Sequence, residues 1–327
     1  MKGNAATSPT TLTSLIVDAD YYDILFGAIR AAKQRIWASQ FSFNMQAIPD
    51  GKLQVRSIAR TLADAAKRGI DVRILVGGNA RRLLLQPAGN DLTLAFLHIL
   101  GVDGRSYARK ARAGSHAKYA LFDDDLALVG SHNWSPRAFG DGIDSTLAVK
   151  SETVANKIAG VFDKAWKSAV QSDMPPELKN SLPQLETLLN KKTAMAEWVR
   201  KPAATQLKYS DGAVNVLVDR AYHVALLKAL TEAEQSIDVS MFYFSYSTKR
   251  DHPNTAIVQE LVRAKKRGVR VQVLLDRDRP GDLYNSRRIN ETARKYLAER
   301  GIAVAFDAPE TVNHSKFVAI DGKRVLL

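Results

Sequence analysis

The chain repeats itself. Residues 22–76 and 222–275 run through the same order of patterns at an offset near 200 residues, and a tandem repeat of this size limits the fold more than any other feature. Residues 22–33 place apolar side chains at helical spacing and lead into an extended run at 35–43. Their counterparts are 222–230 and 236–244. A second helical pattern closes on Lys67-Arg68-Gly69 in one copy and Lys266-Arg267-Gly268 in the other, with basic residues in the last turn and glycine just past the end. Strand-like runs follow at 71–76 and 269–275, then loops at 77–82 and 276–281. Further helices at 91–100 and 286–300 each end at a glycine, Gly101 or Gly301. Helices alternating with strands predict α/β layers, a sheet with helices packed on its faces.

Each copy ends on a segment in which a histidine and a lysine stand two apart. In residues 116–122, His116, Lys118, Ala120 and Phe122 share one face of an extended strand, and Ala117, Tyr119 and Leu121 the other. Asp123-Asp124-Asp125 is turn-prone, and residues 126–131 read as the return strand of a hairpin. A tight hairpin sets Lys118 opposite Gly130 and His116 opposite His132, and Ser131 and Asn133 emerge beside the His/Lys pair. An imidazole, an ammonium, a hydroxyl and an amide brought together suit a phosphate group. The second copy gives His314-x-Lys316-x4-Asp321, and Leu327 falls one residue short of the glycine that would face Lys316.

The pattern His116-x-Lys118-x4-Asp123-x6-Gly130-Ser131-x-Asn133 resembles the HKD motif of the phospholipase D superfamily at all six fixed positions. The resemblance covers roughly residues 15–170 and 210–327. It implies two pseudo-symmetric α-β-α sandwich repeats with mixed sheets, each hairpin adding an antiparallel edge, and a shared cleft across which the His-x-Lys strands face each other. It also implies a mechanism without cofactor or metal. One histidine attacks phosphorus and forms a covalent phosphohistidine; the other protonates the leaving alcohol and then activates water or an acceptor alcohol. By this analogy His116 is the nucleophile and His314 the acid/base, with the reverse assignment open. Lys118, Lys316, Ser131 and Asn133 hold phosphate oxygens. An attacking imidazole needs an acceptor on its far nitrogen, usually a carboxylate; the resemblance implies an acidic residue shortly after the asparagine, and Asp144, eleven residues past Asn133, fits that place, with Asp141 as fallback. Asp123, Asp321 and Gly130 read as structural. The acidic run at 123–125 reads as a solvated turn rather than a metal site.

The other histidines, His98, His132, His223 and His252, lack the His-x-Lys context, although His132 could line the pocket. Phe41, Phe43, Phe242, Tyr243, Phe244 and Tyr246 divide between core and cleft mouth. The expected organisation is a flexible terminus at 1–14, a first domain at 15–172, a linker at 173–206 with one helix near 184–200, and a truncated second domain at 207–327. The incomplete second motif leads to the expectation of a weakly active, association-prone chain.

Composition then narrows the partners. A net charge of +13 points to anionic ones: an anionic phospholipid or membrane surface, or nucleic acid. Arg81, Arg82, Arg277, Arg279, Arg287 and Arg288 in the loops and helix starts favour the second. The absence of cysteine excludes disulfides, thiolate metal sites and cysteine nucleophiles. No signal-peptide core and no run of ~20 apolar residues is present, giving the expectation of a cytoplasmic protein, peripheral at a membrane where it meets lipid. Three function classes remain: head-group hydrolysis or exchange on phospholipids, a metal-independent nuclease, and a non-catalytic binding protein.

Overall fold

The computed structural model describes residues 11–44, 53–77, 87–107, 115–140, 142–171, 206–246, 253–278 and 284–327. The linker helix expected near 184–200, most of the N-terminal segment, Asp141, Arg81, Arg82, Arg279 and His252 lie outside the described residues. The chain divides into two compact units, one of Met1–Gly140 with Thr146–Asn215, the other of Asp141–Ser145 with Val216–Leu327.

The first unit runs β1 (Leu12–Val17), α1 (Asp20–Ala31), β2 (Arg35–Gln40), α2 (Leu53–Lys67), β3 (Asp71–Val76), α3 (Pro87–Ile99), β4 (Asp103–Ser106), β5 (Lys118–Phe122) and β6 (Leu126–Gly130). After the short strand β7 (Gly142–Ile143) it continues with β8 (Ser145–Lys150), α4 (Glu152–Ser168) and β9 (Ser210–Asp211). Its sheet has the order β4-β3-β2-β5-β6-β8-β1-β9. β2, β3 and β4 are parallel neighbours, while β5 and β6 pair antiparallel, so the sheet is mixed. Helix α1 buries Tyr21, Tyr22, Leu25, Phe26 and Ile29, the 3–4 residue spacing of an amphipathic stripe. These join Ile36, Ala38, Ile74, Ala120 and Leu128 from one sheet face and Ile58 and Leu62 from α2 in a single core. On the opposite face Trp37 stacks on Phe162 of α4 at 5.3 Å, completing three layers.

The hairpin β5–β6 does not form an edge, as the sequence suggested. It lies inside the sheet, between β2 and β8, because Ser145–Lys150 pairs along the outer side of β6. With neighbours on both sides, β5 is buried at all of its positions, Lys118 included.

The second unit runs α5 (Arg220–Thr231), β10 (Ser236–Met241), α6 (Pro253–Lys266), β11 (Arg270–Leu275), α7 (Ser286–Ala298), β12 (Ala303–Phe306), β13 (Val312–Asn313), β14 (Lys316–Ile320) and β15 (Arg324–Leu326). The sheet order is β12-β11-β10-β14-β15, the counterpart of β4-β3-β2-β5-β6. Leu226, Leu230, Val258, Leu261, Ala293 and Leu297 from the helices pack on Ile237, Val239, Val271, Val273 and Val318. Residues Arg270, Gln272 and Leu274 on the opposite face of β11 are exposed. Fully burying each Leu, Ile or Val of this core contributes about 1.5–3 kcal/mol.

The repeat extends to backbone detail. Gly69 and Gly268 sit at φ +86° and +93°, where an L side chain is strained. They let Ile70 and Val269 donate back to the Ala65 and Ala264 carbonyls, so each helix closes in a Schellman turn. Asn90 in α3 and Asn290 in α7 are a feature the sequence reading missed. The Asn90 carboxamide accepts from Phe43 N and donates to the Phe41 and Gly77 carbonyls. Asn290 does the same with Phe244, Phe242 and Asp276. Each asparagine clamps the loop leaving the strand that precedes a His-x-Lys partner.

Candidate active site

The His-x-Lys residues stand where β5 and β14 begin, beside the ends of β2 and β10. Lys118 is the cross-strand partner of Gln40, and Lys316 of Met241. The register Tyr119↔Val129 sets Lys118 opposite Gly130, as the hairpin pattern predicts. What fixes these hairpins is the aspartate of each motif. Asp123 takes the left-handed φ of +50° and its carboxylate accepts from the backbone N–H groups of Lys33, Gln34 and Arg35. Asp321, at φ +56°, accepts from those of Glu234, Gln235 and Ser236. Those three donors hold the Asp321 carboxyl below its usual range, as hydrogen bonds to the charged form do. Both aspartates tie the turn to the start of the neighbouring strand.

In the first unit Lys118 is 6% exposed and its Nζ donates to the His116 carbonyl at 2.9 Å, lying 3.0 Å from His116 Nδ1. The Phe41 ring packs on His116 at 4.4 Å and beneath the Lys118 ammonium at 5.1 Å. Ser131 is buried, and Asn133 Oδ1 is buried without a hydrogen-bond partner. His132 turns away into the core. It stacks on Tyr21 at 4.2 Å, its Nδ1 lies 2.8 Å from the Thr146 hydroxyl and its Nε2 3.0 Å from the Asp18 carbonyl, so it does not line the pocket. His98 and His223 lie on α3 and α5.

In the second unit Lys316 Nζ donates to the His314 carbonyl at 2.6 Å, repeating the Lys118 arrangement, and lies 5.4 Å above the Phe242 ring. Burial pushes its ammonium down to about 8, with Asp144 and Asp276 opposing. His314 Nδ1 sits 2.9 Å from Asp144 Oδ1, a carboxylate 3% exposed. The motif resemblance assigns Asp144 to His116 and leaves His314 without an orienting group; in the structure Asp144 lies on His314 instead. The reason is β7, which pairs parallel with β13 at Val312↔Gly142 and Asn313↔Ile143. His314 N also donates to the Ile143 carbonyl at 2.8 Å, which sets the Asp144 side chain beside the imidazole.

Behind β13 lies a buried acidic cluster. The backbone N–H of Asn313 is shared between Asp276 Oδ1 at 2.8 Å and Asp307 Oδ2 at 3.0 Å. The Asn313 carboxamide is held by Ser240 and Ser315, and Asp276 also accepts from the Ser286 hydroxyl. Burial, together with the charge of Asp307, pushes the Asp276 carboxyl up to about 7, and burial raises Asp307. A carboxyl raised in the fold binds its proton more tightly there than in the unfolded chain. The stability this gives is complete below the unfolded value near 3.8 and is lost as pH rises through about 7. The melting temperature is therefore expected to fall between about pH 4 and 7, by the equivalent of roughly 2–4 kcal/mol once solvent screening is discounted, and Asp307→Asn should flatten that slope. Thermal melts of both proteins across this range check it; a wild-type melting temperature that is flat or rises would show that the pair holds no proton.

A family model described as cardiolipin synthase, PLD-like domain, matches residues 25–166 and 226–327. Cardiolipin synthase B of Salmonella typhi is 26% identical over 122 residues, 36% of this chain and 29% of that protein. Cardiolipin synthase A of Proteus mirabilis is 22% identical over 282 residues, 82% of this chain and 53% of that protein. The chain thus spans 29% to 53% of the length of these two relatives. The crystal structure of phosphatidylserine synthase from Haemophilus influenzae Rd KW20 aligns over 98% of this chain and 80% of its own, with a TM-score of 0.66 and 12% identity, a likeness of fold. Among the described residues no helix is long and apolar enough to cross a membrane.

Proposed function

The chain belongs to the phospholipase D-like family of cardiolipin synthases, and from that premise we propose that it cleaves or exchanges phospholipid head groups through a covalent phosphohistidine. The observation that carries this reading is the pair of His-x-Lys strand starts, one of whose imidazoles is held by a buried carboxylate, His314 on Asp144. His116 attacks phosphorus through a ring nitrogen, and the bond from phosphorus to the head-group oxygen breaks. His314 gives that oxygen its proton. In the second half His314 takes the proton of water or of an acceptor alcohol as the new P–O bond forms and the P–N bond to His116 breaks.

The division of roles follows from what surrounds each ring. A carboxylate on Nδ1 balances the positive charge of an imidazolium and leaves Nε2 to carry the proton, which suits His314 to acid/base work. An ammonium at 3.0 Å favours the neutral imidazole, the form that attacks. Lys118, Lys316, Ser131 and Asn133 stabilise the phosphoryl oxygens.

The test is turnover of phosphatidylglycerol vesicles in EDTA with an added primary alcohol, run beside labelled DNA and RNA. Release of head group and appearance of the alcohol-exchanged lipid are expected, because any small alcohol can capture the intermediate. Loss of turnover on chelation, restored by a divalent ion, would overturn the two-histidine mechanism. The net charge of +13 favours one alternative, a nucleic-acid phosphodiester, and cleavage of DNA or RNA with no lipid turnover would establish it.

A further inference from the structure

Gln40 is the last residue of β2 and lies directly across from Lys118, so the two side chains share a face of the sheet. It is 0% exposed, and neither its Nε2 nor its Oε1 has a hydrogen-bond partner. Leaving a buried amide unpaired costs the full desolvation of each of its polar groups. Sequences tolerate such a local loss chiefly at functional sites.

The fold itself does not require the amide. The corresponding position of the second unit, across from Lys316, is Met241, a side chain of similar length with no N–H or C=O. Gln40 is not alone in its unmet demand, since Asn133, just past the end of β6, buries an Oδ1 with no partner. Both residues lie at the sheet end where β5 begins, the end that carries His116 and Lys118.

The chemistry of the missing partner follows from these atoms. The oxygens of a phosphodiester only accept hydrogen bonds, so they cannot satisfy a carbonyl oxygen. A hydroxyl can. We propose that Gln40 contacts substrate directly, its Oε1 accepting from a hydroxyl of a polyol head group or acceptor alcohol while its Nε2 donates to a phosphoryl oxygen. This deepens the phosphodiester reading above and rests on it. Lys118 Nζ is folded back onto His116 in this structure, on the sheet face that also carries Gln40. The first unit thereby reads the alcohol, a task that Met241 cannot share.

Calorimetric titration of the wild type and Gln40→Met with glycerophosphoglycerol and with inorganic phosphate tests this, with thermal melts of both proteins. The substitution is expected to weaken glycerophosphoglycerol about tenfold or more, the effect of one or two lost hydrogen bonds. It should weaken phosphate, which loses only the Nε2 bond, by a smaller factor, and leave the melting temperature equal or higher, since it removes two unpaired groups. Equal affinity of both proteins for glycerophosphoglycerol, equal weakening toward both ligands, or no binding of glycerophosphoglycerol by the wild type would each overturn the assignment. So would unfolding of Gln40→Met where the wild type is folded, because the amide would then be serving the fold. The titration reads binding alone, so its failure is distinct from an absence of lipid turnover in the vesicle assay.

Discussion

Alanine at His116 is expected to abolish turnover, with kcat falling by roughly 10⁵-fold, as when a covalent nucleophile is removed. Alanine at His314 should behave differently. With an aryl phosphodiester, whose leaving group departs without a proton, the first half of the reaction continues and the second stalls. The variant is then expected to accumulate a phosphoryl adduct on His116, seen by intact-protein mass spectrometry at neutral pH and mapped by fragmentation. The two His-x-Lys segments are alike in sequence, so the contrast tests what differs between them: Lys118 Nζ against the His116 ring, and Asp144 against His314. An adduct found instead on His314 in the His116→Ala protein would reverse the roles.

Asparagine at Asp144 is expected to lower kcat by roughly 10³–10⁴-fold while changing KM little. The analogous change in a hydrolase triad costs about 10⁴ by presenting the wrong tautomer of the histidine. Here the carboxylate accepts from His314 Nδ1 at 2.9 Å; an asparagine that turned its NH₂ toward the ring would leave the proton on Nε2 and spoil it as a base. The loss should be greatest for the step that needs an acceptor deprotonated, so transfer to an alcohol falls further than formation of the adduct. Single-turnover measurements of the two halves separate them. An equal loss in both, accompanied by a lower melting temperature, would mean that Asp144 serves mainly to hold β7 against β13.

Much of this was legible in the chain because it is local. Helix ends at Gly69 and Gly268, strand alternation around Lys118, and the turns at Asp123 and Asp321 are written within a few residues of where they act. The pairing of Lys118 with Gly130 follows from counting along one hairpin. What was not legible depends on distant partners. Asp144 and His314 are 170 residues apart, and nothing near Asp144 in sequence says that Gly142–Ile143 will pair with Val312–Asn313. The interior place of the β5–β6 hairpin depends on β8 covering β6, a tertiary fact. Asp276 was visible only as the start of a loop rich in arginine; its burial behind Asn313 arises from packing between β11, β12 and β13. His132 lies at the variable position of an otherwise matching motif, and only the Tyr21 ring and the Thr146 hydroxyl decide that it faces inward.

The membership of Asp141–Ser145 in the second unit bears on how such a chain can be divided. The sequence duplicates near residue 200, but the structural boundary does not follow the duplication. A fragment cut between the repeats would keep every strand of the β10–β15 sheet and lose both β7 and the carboxylate on His314. The module copied in the gene is thus not the module that functions. A lone second repeat would need the missing segment grafted back, and a circular permutant that opens the chain inside 141–145 would damage the second unit while leaving the first repeat's own motif untouched.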